Sequence, residues 1–346
     1  MTNSLPTTLP LSKLVTEMQE SATLKMAKMA RELKAQGKDV IDLSLGEPDF
    51  DTPVHIKEAA KKALDDGYTK YTPVNGLLEL RQAIVNKLAR ENDLHYTVNQ
   101  IVVSNGAKQS VYNLCMALLD PGDEVILPAP YWVSYAEIVK MAGGVPVIAN
   151  SSIEQDFKST PEEIEALITD RTKFILYSSP CNPSGSVFSF EELQALALML
   201  QAHEHVLVVS DEIYEHINFT DRHYTIASME GMKDRTVIIN GMSKGYAMTG
   251  WRLGYIAGPD WIADACTKIQ GQVTSGASSF GQKAAAVALE SDHTPTKEMV
   301  KAFHQRRDLI INLLEQIPLL LVNRPQGAFY IFPDVSAYFG RTSTGG

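Results

Sequence analysis

Residues 172–214 read TKFILYSSPCNPSGSVFSFEELQALALMLQAHEHVLVVSDEIY, and this stretch decides the fold. Its two ends, Thr172–Ser178 and Val206–Ser210, are apolar, β-branched runs of strand length. Between them Glu191–Glu204 carries apolar residues at the helical period. Ser189-Phe-Glu-Glu192 ahead of it is a capping box, in which the serine hydroxyl takes a free backbone N–H and the glutamate reaches back. The same alternation extends outward. Strands are predicted at Ile101–Ser104, Glu124–Leu127, Val145–Ala149, Thr236–Asn240 and Leu253–Ala257, and helices over Lys108–Leu119 and Pro161–Ile168. Thr160-Pro-Glu-Glu163 gives the latter helix its own capping box, with Pro161 at the first helical position. Strands alternating with helices define an α/β class with a mostly parallel central sheet sandwiched by helices.

The flanks read differently. Residues 15–36 predict a helix ending at Gly37 as a left-handed cap. Residues 296–317 predict a second long helix, followed by a strand pair at Leu319–Val322 and Ala328–Phe332. The expected division is an N-terminal arm (1–14), a large domain (48–300), and a smaller α+β domain from 15–47 and 301–346. The final GRTSTGG reads as a flexible run, so the chain is expected to stop within a loop and leave the smaller domain incomplete.

Composition narrows the function. The 346 residues carry 31 basic against 41 acidic side chains, a net charge of −10, which offers no electropositive footprint for nucleic acid or an anionic membrane. The longest apolar runs, such as Ala195–Leu200, are far too short to span a bilayer. No basic start followed by an apolar stretch opens the chain, and Cys115, Cys181 and Cys266 form no CxxC, so a cytoplasmic protein is expected. No metal site is expected: His203-Glu-His205 reads as a solvated turn, and HExxH, a P-loop and GxGxxG do not occur.

Ligands of open α/β sheets bind beyond the carboxyl ends of the strands. The polar residues there are Asn105-Gly-Ala-Lys108, Pro180-Cys-Asn-Pro-Ser-Gly185, Asp211-Glu-Ile-Tyr214, Gly241-Met-Ser-Lys244 and Thr249-Gly-Trp-Arg252. A helix start rich in small residues beside an arginine is a phosphate site. A lysine near that phosphate, with an acid on a neighbouring strand, is the arrangement pyridoxal phosphate needs.

The motifs LSLGEPDFDTP (43–53), KYTPVNGLLELR (70–81), SNGAKQ (104–109), PYWVSY (130–135), NPSG (182–185), SDEIY (210–214) and SKGYAMTGWRLGY (243–255) occur in one order. In that order the chain resembles the class I aspartate aminotransferase family, whose members are fold-type I pyridoxal-phosphate enzymes, close to the branch with aspartate/prephenate aminotransferases. The resemblance implies that Lys244 forms the Schiff base with pyridoxal 5'-phosphate and moves the Cα proton. It implies that Asp211 pairs with the pyridine nitrogen, and that Asn182 and Tyr214 hydrogen-bond the phenolic oxygen. Trp132 is expected on the ring face, with Gly106, Ala107, Lys108, Ser243 and Arg252 in the cofactor site. Tyr71 is expected to reach the phosphate of a neighbouring subunit, which implies a homodimer with shared sites. Gly46, Lys108, Trp132, Asn182, Ser21 and Thr23 are the expected substrate contacts, and Lys108 favours a dicarboxylic substrate.

The expected reaction is a ping-pong transfer between aspartate or glutamate and a 2-oxo acid, either 2-oxoglutarate or prephenate. Family members continue beyond the equivalent of Gly346 and supply an arginine for the α-carboxylate. A truncated chain is the expectation here. Two other readings stand beside this one. Gly241-Met-Ser-Lys-Gly245 matches G-x-S-x-G, the nucleophile elbow of a serine hydrolase, but the strand predicted at Leu253 leaves no room for the helix an elbow opens. A lyase or synthase of the same fold shares the lysine and aspartate chemistry.

Overall fold

The computed structural model describes residues 11–18 and 22–342. Among the described residues seven strands form one sheet: β1 (Ile101–Ser104), β2 (Glu124–Pro128), β3 (Val145–Ala149), β4 (Thr172–Ser178), β5 (Leu207–Asp211), β6 (Thr236–Gly241) and β7 (Gly254–Ala257). Their spatial order is β1-β7-β6-β5-β4-β2-β3. Neighbours from β3 through β6 are parallel, and β7 runs antiparallel to both β6 and β1. One reversed strand in an otherwise parallel sheet brings the ends of β1, β2, β4, β5 and β6 to the same edge as the start of β7.

The helices are α1 (Lys13–Glu17), α2 (Ala22–Ala35), α3 (Val54–Asp65), α4 (Leu78–Asn92), α5 (Ala107–Leu118), α6 (Ser134–Met141), α7 (Pro161–Glu165), α8 (Phe190–Leu200), α9 (Asp260–Val273), α10 (Ser279–Glu290) and α11 (Thr294–Leu314). Alternation along the strands sends side chains to two cores, as the period of two requires. Ile101 and Val103 pack with Ile84 and Leu88 of α4 and Ala285 and Leu289 of α10 on one face. Val102 packs with Leu114 of α5, Val139 of α6 and Ile262 of α9 on the other. β4 splits likewise, with Phe174 and Leu176 on the second face and Ile175 and Tyr177 against Leu193 and Leu196 of α8. Among the described residues no helix is long and apolar enough to cross a membrane.

Both capping boxes form, with Thr160 and Ser189 accepting from the N–H of Glu163 and Glu192. The flanks depart from the prediction. The single helix expected over 15–36 is two, because Met18 turns extended (ψ 132) and ends α1. Gly37 does cap α2, at φ +78. The strand pair at 319–332 does not form. Leu319 and Ala328 sit at φ +65 and +57, and Pro325 has no N–H to donate, so the segment keeps only isolated bridges, Leu321 to Asp334 and Gly327 to Asn218. Smaller shifts move helix ends: α7 and α8 stop at Glu165 and Leu200, and α11 starts at Thr294.

Candidate active site

The site grows from the turn between β1 and α5. Gly106 sits at φ +83 and opens α5, and its N–H is already donated to Ser104 O at 2.8 Å. Of the three N–H groups expected to face an anion, those of Ala107 and Lys108 therefore remain, because the tight turn consumes the first. A Cβ on Gly254 would lie 2.3 Å from Ala107 N, so only glycine at the start of β7 lets the helix start come this close. Just before it, Arg252 lies at φ +54 and donates from Nη1 to Thr249 O at 2.9 Å. Its guanidinium rests against Gly106, where a Cβ would be 2.6 Å from Nη2. Open helix N–H groups beside an arginine make a seat for a phosphate.

Contacts lead from this seat around a circuit of side chains. Lys108 Nζ lies 4.7 Å above the Trp132 ring, and burial together with the Arg252 charge holds its pKa below the usual lysine value. Trp132 meets Tyr135 edge to face at 5.5 Å, and Tyr135 Oη donates to Asp211 Oδ2 at 2.6 Å. Ile213 N–H donates to the other oxygen at 3.2 Å. Asp211 ends β5 and is 4% exposed. Burial pushes its carboxyl up to about 6, against the hydrogen bonds from Tyr135 and Ile213 that favour the charged form.

Across from it, Lys244 Nζ donates to Gly46 O at 2.6 Å and stands 5.7 Å from the ring of Tyr214. Burial lowers this amine to about 8, with Glu47 pulling the other way and Arg252 adding to the fall. Tyr214 Oη and Tyr330 Oη share a hydrogen bond of 2.5 Å, and Asn182 Nδ2 donates to Tyr330 Oη at 3.2 Å. Burial raises both phenols, that of Tyr330 to about 12.

The remaining expected residues fall as follows. Gly46 faces Tyr330, whose hydroxyl would be 2.1 Å from a Cβ there. Ser243 is buried, with its carbonyl accepting from Met248 N–H at 3.1 Å. After it the chain makes turns and a short 3-10 segment, Thr249–Trp251, before β7, so the serine-hydrolase reading lacks the helix its elbow must open. Thr23 is half-buried in the first turn of α2, and among the described residues no hydrogen bond joins it to this circuit. Ser21 lies outside the described residues. Tyr71 is 98% exposed and stands apart from the circuit. Tyr135 and Tyr330 were not foreseen as site residues. Tyr135 stood inside the quoted PYWVSY, four residues before Val139 and one turn from Trp132, which is the signal that could have marked it.

Two groups of carboxylates and histidines bring ligand atoms within 4.8 Å, Glu91 with His216 and His293, and Glu212 with Glu215 and His223. The buried Lys87 ammonium already pairs with Glu91 at 3.6 Å and with Glu215, so a cation there meets a resident one. His203 and His205 contact Glu165 Oε1 at 3.0 Å and Thr169 O at 3.2 Å, in keeping with a surface turn.

Pyridoxal phosphate fits these residues. Lys108, Lys244 and Arg252 stand together, and among the described residues no carboxylate lies within ion-pair distance of any of them, so the site has charge to spare for an anion. Among the described residues no cation lies within ion-pair distance of the buried Asp211, and a protonated ring nitrogen would supply one. Lys244 is an amine of lowered basicity, suited to capture an aldehyde.

Comparison with known proteins agrees with this chemistry. A family model described as aminotransferase class I and II matches residues 38–343. The aspartate/prephenate aminotransferase of Cereibacter sphaeroides is 48% identical over 338 residues, covering 97% of this chain and 84% of that protein. The crystal structure of the aspartate aminotransferase from Rhizobium meliloti superposes with a TM-score of 0.94 at 43% identity, covering 98% of this chain and 85% of that one. The aspartate aminotransferase from Thermus thermophilus with maleate gives 0.92 at 42% identity, covering 96% and 87%. Fold and site thus define a fold-type I α/β transferase. The chain belongs to the class I and II aminotransferase family, on its aspartate aminotransferase side.

Proposed function

We propose that this aminotransferase holds pyridoxal 5'-phosphate on Lys244 and moves an amino group between aspartate or glutamate and a 2-oxo acid, 2-oxoglutarate or prephenate, in two half-reactions. The observation that carries it is that Lys244, just past the end of β6, and the buried Asp211, ending β5, stand on the same sheet edge as Arg252 and the open start of α5. When bound, the cofactor supplies an aldehyde that captures amines and a ring that takes up the electron pair of a broken Cα–H bond. Arg252 and the N–H groups of Ala107 and Lys108 hold the phosphate. Asp211, fixed by Tyr135, sets a negative charge against the ring nitrogen and keeps it protonated. Asn182 and Tyr214 hydrogen-bond the ring oxygen, and Trp132 offers its flat face. Lys244, once free, would take the Cα proton and deliver it to the cofactor carbon on the far side of the amino nitrogen.

Lys108 above Trp132 is a cation placed for a distal carboxylate, and the Thermus relative was solved with maleate, a dicarboxylate. Gly46 serves the substrate carboxylate, with Ser21 and Thr23 as supporting hydroxyls. The prephenate option rests on the names of the relatives. The same reading divides the chain into a large unit over 48–300 and a smaller one from 15–47 and 301–346, behind an N-terminal arm. It also makes the molecule a cytoplasmic homodimer, in which the exposed Tyr71 serves the partner's phosphate.

The test begins with the full chain and pyridoxal phosphate, followed by absorbance before and after L-aspartate. A visible band that aspartate bleaches, and a pyridoxyl group fixed on the Lys244 peptide by borohydride, are expected. Lys244→Ala is expected to lose about 10²–10⁴-fold in rate or more. A wild-type chain that gains no band, or a Lys244→Ala chain that transaminates normally, would overturn the proposal.

A further inference from the structure

The segment 46–52, quoted above within LSLGEPDFDTP, is strapped to the loop 244–252 at several points. Lys244 Nζ donates to Gly46 O at 2.6 Å, and Thr52 Oγ1 donates to Ala247 O at 2.6 Å while accepting from Trp251 Nε1 at 3.1 Å. The strap nearest the chemistry is ionic at one end: the Glu47 carboxylate accepts a hydrogen bond from Thr249 Oγ1. Thr249 in turn gives its carbonyl to Arg252 Nη1 at 2.9 Å. One acid, adjacent in sequence to the carbonyl that Lys244 touches, is thereby fixed on the turn that aims the arginine.

We propose that Glu47, anchored on the Thr249 hydroxyl, is a positioning residue for Lys244, holding the Gly46 carbonyl against Nζ and presenting a fixed counter-charge to that amine. The inference rests on the reading of Lys244 as the amine that holds the cofactor. The charged and titratable groups that face Lys244 are Glu47 from this segment, Arg252 from its own loop, Asp211 at the end of β5 and the Tyr214 phenol. Among the charges, Glu47 acts on the lysine more strongly than Asp211 does, although Asp211 is the acid beside the expected ring. Glu47 is exposed, so solvent screens part of its charge, and the hydrogen bond from Thr249 is what holds the carboxylate on the Lys244 side. Glu47 is not among the residues assigned to hold cofactor or substrate, and acts through Lys244.

The test reads Lys244 directly. The full chain, before pyridoxal phosphate is added, is labelled over a range of pH with an amine-directed anhydride, and the Lys244 peptide is quantified by mass spectrometry. Removing the nearby anion destabilises the ammonium, so Glu47→Gln is expected to lower the midpoint by roughly half a unit, a roughly threefold faster labelling at neutral pH. Thr249→Val is expected to shift it the same way, and Thr249→Ser, which restores the hydroxyl, to leave it in place. Melting curves of the three variants identify any that has unfolded, and the Thr249 pair keeps the test open if Glu47→Gln is one of them. An unchanged or raised midpoint in folded Glu47→Gln overturns the proposal, as does a Thr249→Ser chain that behaves like Thr249→Val. Capture of pyridoxal phosphate by the wild-type chain is scored separately. Its failure would sink the proposed function while leaving the labelling shifts readable.

Discussion

Asp211 is placed for its chemistry at a cost to the fold, and that cost can be measured. In the unfolded chain its carboxyl ionises around 3.8, whereas in the fold it keeps its proton up to about 6. At low pH both states are protonated and the residue costs nothing. As pH rises, the unfolded chain releases the proton first, so stability falls with pH until both states are ionised. An isosteric amide escapes this. Asn at 211 can accept from Ile213 N–H through its oxygen and, with the direction of that bond reversed, donate to the Tyr135 oxygen through its nitrogen, so both contacts stay paired. Asp211→Asn should therefore be the more stable chain without cofactor, by about 1 kcal/mol near pH 4.5 and about 3 kcal/mol near pH 7.5.

Urea unfolding of the two full chains at both pH values checks this. Saturating pyridoxal phosphate should narrow or reverse the difference, because only the aspartate gains a cation from the ring. Turnover should fall by several powers of ten in the same variant. Were Asp211→Asn no more stable than the wild type near pH 7.5, or its advantage no larger there than near pH 4.5, burial would not set the charge state of this residue. The electrostatic account of the site would then fail.

Other sites yield narrower tests. Gly106→Ala places a methyl 2.6 Å from Arg252 Nη2 at φ +83, and should weaken pyridoxal phosphate binding roughly tenfold or more by displacing the guanidinium. Gly250→Ala, which meets nothing within 4 Å, should bind as the wild type does in the same titration. Lys87 is fully buried against Glu215, Glu91 and Asn92, and against the upward push of burial it helps hold Glu215 at about 2. Lys87→Met should cost about 3–5 kcal/mol at neutral pH by leaving the buried Glu215 carboxylate without its ammonium. That loss, read by urea midpoints, should shrink as pH falls below about 4.5, where the freed carboxylates protonate.

The parts of this site legible in the sequence are those a local rule places. A strand of known direction ends at Asp211, another ends before Lys244, and a small-residue turn opens α5 at Gly106. Each position follows from a period, a cap or a break within a few residues. The sheet was equally legible, because burial on both faces leaves the strand centres, Phe174–Tyr177 and Val237–Ile239, as continuous apolar runs. What stayed hidden joins distant residues. Tyr135 meets Asp211 across 76 positions, Tyr214 meets Tyr330 across 116, and Thr249 meets Glu47 across 202. Tyr330 carries no local mark that separates a core ring from one whose hydroxyl joins a site, and Tyr135 is marked only by its place near Trp132 in PYWVSY. The misread strand pair at 319–332 shows the converse. Its residues have strand composition, but the exposed Leu319 and the buried Ala328 both take the left-handed region, which breaks the extended path. That irregular path also delivers Phe329 and Tyr330 to Tyr214, with ring centroids 5.6 Å away in each case. In a straight strand Phe329 and Tyr330 would face opposite ways, so the departure from regular structure is what allows both rings to pack on the site.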